Sequence, residues 1–278
     1  MELAPRSAYG GIAEIGASDP SILLQETEKS NRKVLMAVTA RAFQLWRTRI
    51  APHDSVSDLC RIADVKRSTL AQQLVRGKVS VPTVVSIARG YGVPVVDALS
   101  EFNGFEDLPD GLAEPTDAEL LSQISHIDIL RLLVARSEAK ESGSDMPPLL
   151  APFPHRASVR AWIEAIDPGD LRQQLAVSTG VARQNLSAQL TAGRLAPWIA
   201  VQAGRIAGVS LASGLVVTGL ITPEEGGWPE DGRDRALRAV PDLDLVLLAR
   251  DRLDVLGRQM RRTELDDGRD RAIWENLG

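Results

Sequence analysis

Residues 58–78 read DLCRIADVKRSTLAQQLVRGK, and residues 175–194 read LAVSTGVARQNLSAQLTAGR. In the first stretch Cys60, Val65, Leu70 and Leu74 fall where two short helices about a tight turn would bury them. Ala176, Val181, Leu186 and Leu190 stand at the same offsets in the second, with Gly180 at its turn. A small residue at Cys60 or Ala176 lets the two helices approach. Gly180 suits a left-handed turn, and Asp64, its counterpart, is among the better substitutes for glycine there.

The correspondence extends outward. Sliding the chain against itself by 116 positions lays residues 41–136 on 157–252 without a gap, with about 22 identities in about 96 pairs. The matched pairs include Trp46 with Trp162, Pro52 with Pro168, Arg67 with Arg183, Gln73 with Gln189, Gly77 with Gly193 and Asp128 with Asp244. Two copies of this size predict two homologous tandem domains, at 36–137 and 156–253. An N-terminal arm (1–35), a proline-containing linker (138–155) and a C-terminal extension (254–278) complete the division. The stretch PSILLQETEKS in the arm reads as a short helix.

The expected fold class is all-α. In copy one, Leu35, Val38, Ala42, Leu45 and Trp46 recur at helical spacing. Copy two repeats the pattern with Val159, Trp162, Ile163 and Ile166. Further helices are expected over 82–91, over 94–102 and, as one longer element, over 120–136. Strands are expected only in short runs such as 215–221. Trp46 and Trp162 read as core residues, and Asp128 and Asp244 as caps or cross-links. Four prolines in 138–156 argue against a continuous helix there.

Composition narrows the function classes. The chain has 278 residues, 44% apolar, and a net charge of −5, which argues against general coating of nucleic acid. Charge is instead local: 61–78 carries Arg61, Lys66, Arg67, Arg76 and Lys78 against Asp64 alone, whereas 97–119 holds acids and no base. A single cysteine, Cys60, excludes an internal disulfide and fits a reducing compartment. Apolar runs are short and no signal-peptide pattern opens the chain, so a cytoplasmic location away from membranes is expected. His53, His126 and His155 are scattered, and no nucleophile with a base, convergent acid pair or phosphate loop occurs. The expectation is no enzyme, no cofactor and no metal.

The spacing of Ala176, Gly180 and Leu186, matched by Cys60, Asp64 and Leu70, resembles the lambda-repressor-like helix-turn-helix family of the Cro and XRE type. In tandem, it resembles actinobacteriophage immunity repressors. The resemblance covers about 50 residues of each copy. It implies that the second motif helix enters the major groove, with Arg67, Ser68, Thr69 and Gln72, then Arg183, Gln184, Asn185 and Ala188, at base edges. Lys66, Gln73, Arg76, Lys78, Arg172, Gln189 and Arg194 would meet the DNA backbone. Where the family commonly has a phosphate-binding Gln, at the start of the first motif helix, this chain has Val56 and Arg172. The region behind each motif is helical in pattern and nearly free of lysine, so switching by Ser-Lys self-cleavage is not expected.

These readings converge on a repressor that occupies a bipartite, asymmetric double-stranded operator as a monomer, through two heads of different sequence preference. An antitoxin-like regulator gripping a protein partner through acidic segments is the alternative. A non-specific architectural chromosome protein fits less well, because the chain is acidic and its two reading segments differ.

Overall fold

Thr39, Ser55 and Ser80 each turn a hydroxyl back onto a free N–H of the turn that follows, which fixes where three helices of copy one begin. The computed structural model describes residues 38–142 and 150–275. Copy one opens with β1 (Val38–Thr39) and α1 (Ala40–Ile50), followed by α2 (Val56–Ile62) and α3 (Arg67–Val75). After β2 (Lys78–Val79) come α4 (Val81–Gly90), α5 (Val95–Ser100), α6 (Asp117–Ser122) and α7 (His126–Ser142). Copy two runs α8 (Ser158–Ala165), α9 (Leu171–Thr179), α10 (Arg183–Thr191) and α11 (Pro197–Ala207). It ends with α12 (Ser213–Val217), α13 (Gly232–Ala239) and α14 (Asp242–Glu275). The protein is mostly helical, and each helix of the first seven has a counterpart seven helices later, displaced by 116 residues to within a few positions, except that α14 runs 17 residues past the shifted end of α7.

The only sheet among the described residues is the antiparallel pair Val38 with Val79 and Thr39 with Lys78. It clasps the start of α1 to the segment leaving α3. Val38 therefore lies in a strand rather than in the first helix, whose buried face is Phe43 and Trp46 while Leu45 is exposed. The expected strand over 215–221 is instead the end of α12 and a turn through Gly219 at φ +72°. Leu215, Val216 and Val217 are buried, and an apolar run buried all round reads equally well as strand or helix. The single helix expected over 120–136 is broken into α6 and α7. Ser125 and Asp128 cap one another: Asp128 N donates to Ser125 Oγ (3.2 Å) and Ser125 N to Asp128 Oδ2 (3.3 Å).

The core does not divide where the sequence copies do. One apolar cluster joins Trp46, Leu59, Leu70 and Leu99 of copy one to Trp162, Leu175, Leu186 and Leu215 of copy two. A second is made of Ile124, Ile129 and Leu132 with Leu237, Leu245 and Ala249, where α7 packs along α14. Burying each such side chain stabilises by roughly 1.5–3 kcal/mol. The described residues accordingly fall within one compact unit. Of the linker, α7 takes up residues to Ser142, and 150–155 is anchored at two points: Ala151 N donates to Asp128 Oδ1 (3.0 Å), and Phe153 stacks on Trp228. The C-terminal extension continues α14 as far as Glu275. The arm, with its expected short helix and Leu35, lies outside the described residues. No helix of the described residues is long and apolar enough to cross a membrane.

Candidate nucleic-acid interface

Asp64 is the one non-glycine residue at positive φ among the described residues, at +52°, and Gly180 takes +68° at the equivalent place. That conformation turns the chain sharply between α2 and α3, and again between α9 and α10. A side chain there ordinarily costs about 1–2 kcal/mol, less for Asp, whose short polar group tolerates it. Leu59 and Cys60, and in copy two Leu175, are buried under the second helix through Leu70 and through Leu186 and Leu190. Burial also pushes the Cys60 thiol pKa up, which keeps it protonated and inert.

α3 and α10 have the same bounds at the 116-residue offset. With Leu70 and Leu186 turned inward, Arg67, Ser68, Thr69 and Gln72 on α3 and Arg183, Gln184, Asn185 and Ala188 on α10 are all exposed. Lys66 and Ala182 stand at the N-caps, without a side-chain hydrogen bond to the first turn and with no acid in it. The first N–H groups of both helices are thus open, with the positive end of the helix dipole behind them. Lys66, Arg67, Arg76, Lys78, Arg183 and Arg194 are exposed, and their side chains make no hydrogen bond or ion pair among the described residues.

Three of the expected backbone-contacting residues are already engaged within the protein. Gln73 accepts from Ser80 N (3.0 Å) and donates to Ser80 Oγ (3.3 Å), while Gln189 accepts from Ala196 N (3.1 Å). The glutamines tie the ends of α3 and α10 to the starts of α4 and α11, and the Gln189 amide NH2 has no partner among the described residues. Arg172 reaches Glu164 (3.4 Å), which also holds Arg160 (2.8 Å). Val56 is half-buried and offers no polar group.

The acidic stretch 97–119 is partly occupied. Glu101 receives Arg49 in a two-bond pair (2.7 and 3.0 Å), Asp107 receives Arg205, and Glu119 is fully buried. The Glu119 carboxylate closes a capping box with Thr116 and accepts from the indole Nε1 of Trp162 (3.0 Å). Trp46 and Trp162 are core residues, as their spacing predicts, and Trp228 donates its Nε1 to Ser213 Oγ (3.2 Å).

Sequence reasoning passed over Arg89 and Arg205, which sit in the last turns of α4 and α11 and bind the opposite copy. They are one of the identical pairs at the 116-residue offset, so the signal was present. Chemically, each exposed helix face offers a guanidinium for guanine O6 and N7, amides for adenine, hydroxyls for either, and in Ala188 a methyl suited to thymine. Comparison with protein-family models, with curated proteins and with solved structures returns no match.

Proposed function

We propose that this chain is a sequence-specific, double-stranded-DNA-binding transcriptional repressor, a tandem duplication of one helix-turn-helix domain with α3 and α10 as its two major-groove reading helices. The observation that carries the reading is the pair of helices at one fixed offset. Each follows a left-handed turn residue, is opened by an exposed and unpaired arginine, and displays polar side chains with base-pairing capacity. Lys66, Arg76, Lys78 and Arg194 flank those faces and supply phosphate contacts. The resemblance to phage immunity repressors adds the consequence: occupying an operator excludes polymerase. The protein acts in the cytoplasm and binds as a monomer, because one chain already carries two heads.

The test is selection of bound duplexes from a random pool at fixed salt, with wild type, Arg67→Ala and Arg183→Ala. A bipartite motif is expected, and each variant loses a different half. Absence of enrichment by the wild-type chain overturns the proposal. It favours instead a regulator working through a protein partner, a reading supported by the apolar stripe Leu243, Val246, Leu247 and Leu253 exposed along α14.

A further inference from the structure

Two sets of contacts between the copies are reciprocal. Arg89 donates to the carbonyl of Leu220 (3.3 Å) and grips the Glu225 carboxylate through Nε and Nη2 (2.8 and 2.6 Å). Arg205, 116 positions on, donates to the carbonyl of Gly104 (2.7 Å), which lies 116 positions before Leu220. It grips Asp107 through the same two nitrogens. A second pair of arginines repeats the exchange. Arg136 on α7 donates to the carbonyls of Arg238 and Val240 (2.8 Å each). Its equivalent on α14, Arg252, donates to the carbonyl of Leu121 (3.4 Å), whose counterpart is Leu237, next to Arg238. In addition α6 packs on α13 and α7 on α14, each helix meeting its own equivalent.

A head-to-tail stack would use each of these surfaces once. If residue i of one copy meets residue j of the other, and j also meets i, the operation relating the copies returns to its start after two applications. We infer that residues 38–142 and 150–275 form an intrachain pseudo-dimer about an approximate two-fold axis. Resting on the DNA-reading function proposed above, its operator therefore consists of two half-sites in inverted orientation at one fixed spacing. The spacing is fixed because the copies share their cores and because the described part of the linker is packed, with Arg233 over the Phe153 ring and bonded to the Ala151 carbonyl (3.1 Å). The symmetry is incomplete. Trp162 bonds Glu119, whereas Arg235 stands at the equivalent of Glu119 and Trp46 packs on Phe43 and Phe102. Leu211 N donates to the Gly111 carbonyl (3.0 Å) and Ala113 N to Ser210 Oγ (3.3 Å), while the equivalents of Ala113 and Ser210 are Pro229 and Pro94, which cannot repeat that bond. Half-site orientation is otherwise masked, because the two heads carry different side chains.

The experiment removes that mask. In the full chain, Ala182→Lys, Gln184→Ser, Asn185→Thr, Ser187→Ala and Ala188→Gln together give α10 the reading face of α3. All five positions are exposed, and folding is verified by thermal melting. Selection from a random duplex pool with this variant is expected to return one half-site sequence repeated as an inverted repeat at a single spacing. Recovery of a direct repeat, or of halves at variable spacing, overturns the two-fold inference and leaves the DNA-reading function standing. No enrichment by the wild-type chain in parallel defeats that function itself. A second measurement needs no variant. Inserting two base pairs between the halves of the wild-type site turns one by about 70° on a duplex of about 10.5 base pairs per turn. A loss of affinity of about 10-fold or more is expected, and unchanged affinity overturns the inference.

Discussion

The helices proposed to read DNA, α3 and α10, sit in frames that are nearly the same and carry faces that are not. Both follow a residue at positive φ, bury leucines at equivalent positions, are tied at the end by a glutamine to the next helix, and are followed by a glycine at positive φ, Gly77 or Gly193. Of the outward positions compared, only Arg67 and Arg183 agree, while Lys66, Ser68, Thr69 and Gln72 face Ala182, Gln184, Asn185 and Ala188. The leucines fixed by packing have stayed, and the exposed positions of the two faces, apart from Arg67 and Arg183, have moved. The surroundings of the two frames have diverged as well, and equivalent residues in different surroundings make the comparison testable.

The largest difference is expected between Glu119 and its equivalent, Arg235. Glu119→Ala removes the closing partner of a capping box and leaves the buried indole N–H of Trp162 unsatisfied. The expected loss is about 2–4 kcal/mol. Arg235 is exposed and reaches only Asp231 at 3.7 Å, so Arg235→Ala stays within about 0.5 kcal/mol of wild type. Urea unfolding of both variants measures the contrast, and equal midpoints would refute the account of an unsymmetrical anchor.

On the DNA side, Gln72 and Ala188 separate the heads. Gln72→Ala is expected to weaken binding by about 1–3 kcal/mol, through loss of adenine preference at one position of one half-site. Lys66→Ala, which makes copy one resemble copy two at the N-cap, should lower affinity on all sequences alike and reduce the salt slope by about 1. Titrations of the selected duplex at several salt concentrations distinguish the two. A uniform effect of Gln72→Ala across base substitutions would assign that residue to the backbone instead.

How much of this was legible depended on whether the deciding partner lay nearby in sequence. The pairs of short helices around Asp64 and Gly180, the turns themselves and the core roles of Trp46 and Trp162 follow from local spacing, because a 3.6-residue period and a turn residue are read within one segment. The break between α6 and α7 was hidden by apolar residues that recur on both of its sides, although the Ser125 and Asp128 caps that make it are visible in the chain. Gln73 and Gln189 looked like surface groups free for phosphate, because the N–H groups they bind belong to the following helix. The joining of the copies through Arg89, Arg205, Arg136 and Arg252 was illegible. An identity at a fixed offset states that a residue matters in both copies and not what it touches.

A smaller contrast lies at the glycines after the reading helices. Gly77, at φ +72°, has open space where a Cβ would stand, whereas a Cβ at Gly193, at φ +64°, would lie 2.8 Å from the Arg156 carbonyl oxygen. Gly77→Ala therefore costs about 1 kcal/mol from backbone strain alone. Gly193→Ala costs about 2 kcal/mol, since backbone must also shift. At about 2–4 °C per kcal/mol for a unit of this size, the two melting temperatures should differ by a few degrees. Reversed order would show that copy two yields at this point and copy one does not.

The smallest effect concerns a bond that only copy one has. Tyr91 donates its hydroxyl to Asp54 Oδ2 (2.6 Å), while Ala207 holds the equivalent position and Asp170 bonds Gln174 instead. Burial, and after it the Asp54 carboxylate, push the Tyr91 pKa from 10.0 up to about 12. Between those values the folded chain keeps a proton that the unfolded chain has released, so stability falls as pH rises through the window. Below 10 the contribution is fully present. Tyr91→Phe is expected to cost about 1 kcal/mol or less at neutral pH, as the group is partly solvated. The variant should also have a flatter stability profile between pH 10 and 12, followed by urea unfolding at each pH. If wild type and Tyr91→Phe lose stability in parallel over that range, the alkaline sensitivity belongs to other groups and the Tyr91 bond gives copy one no advantage over copy two.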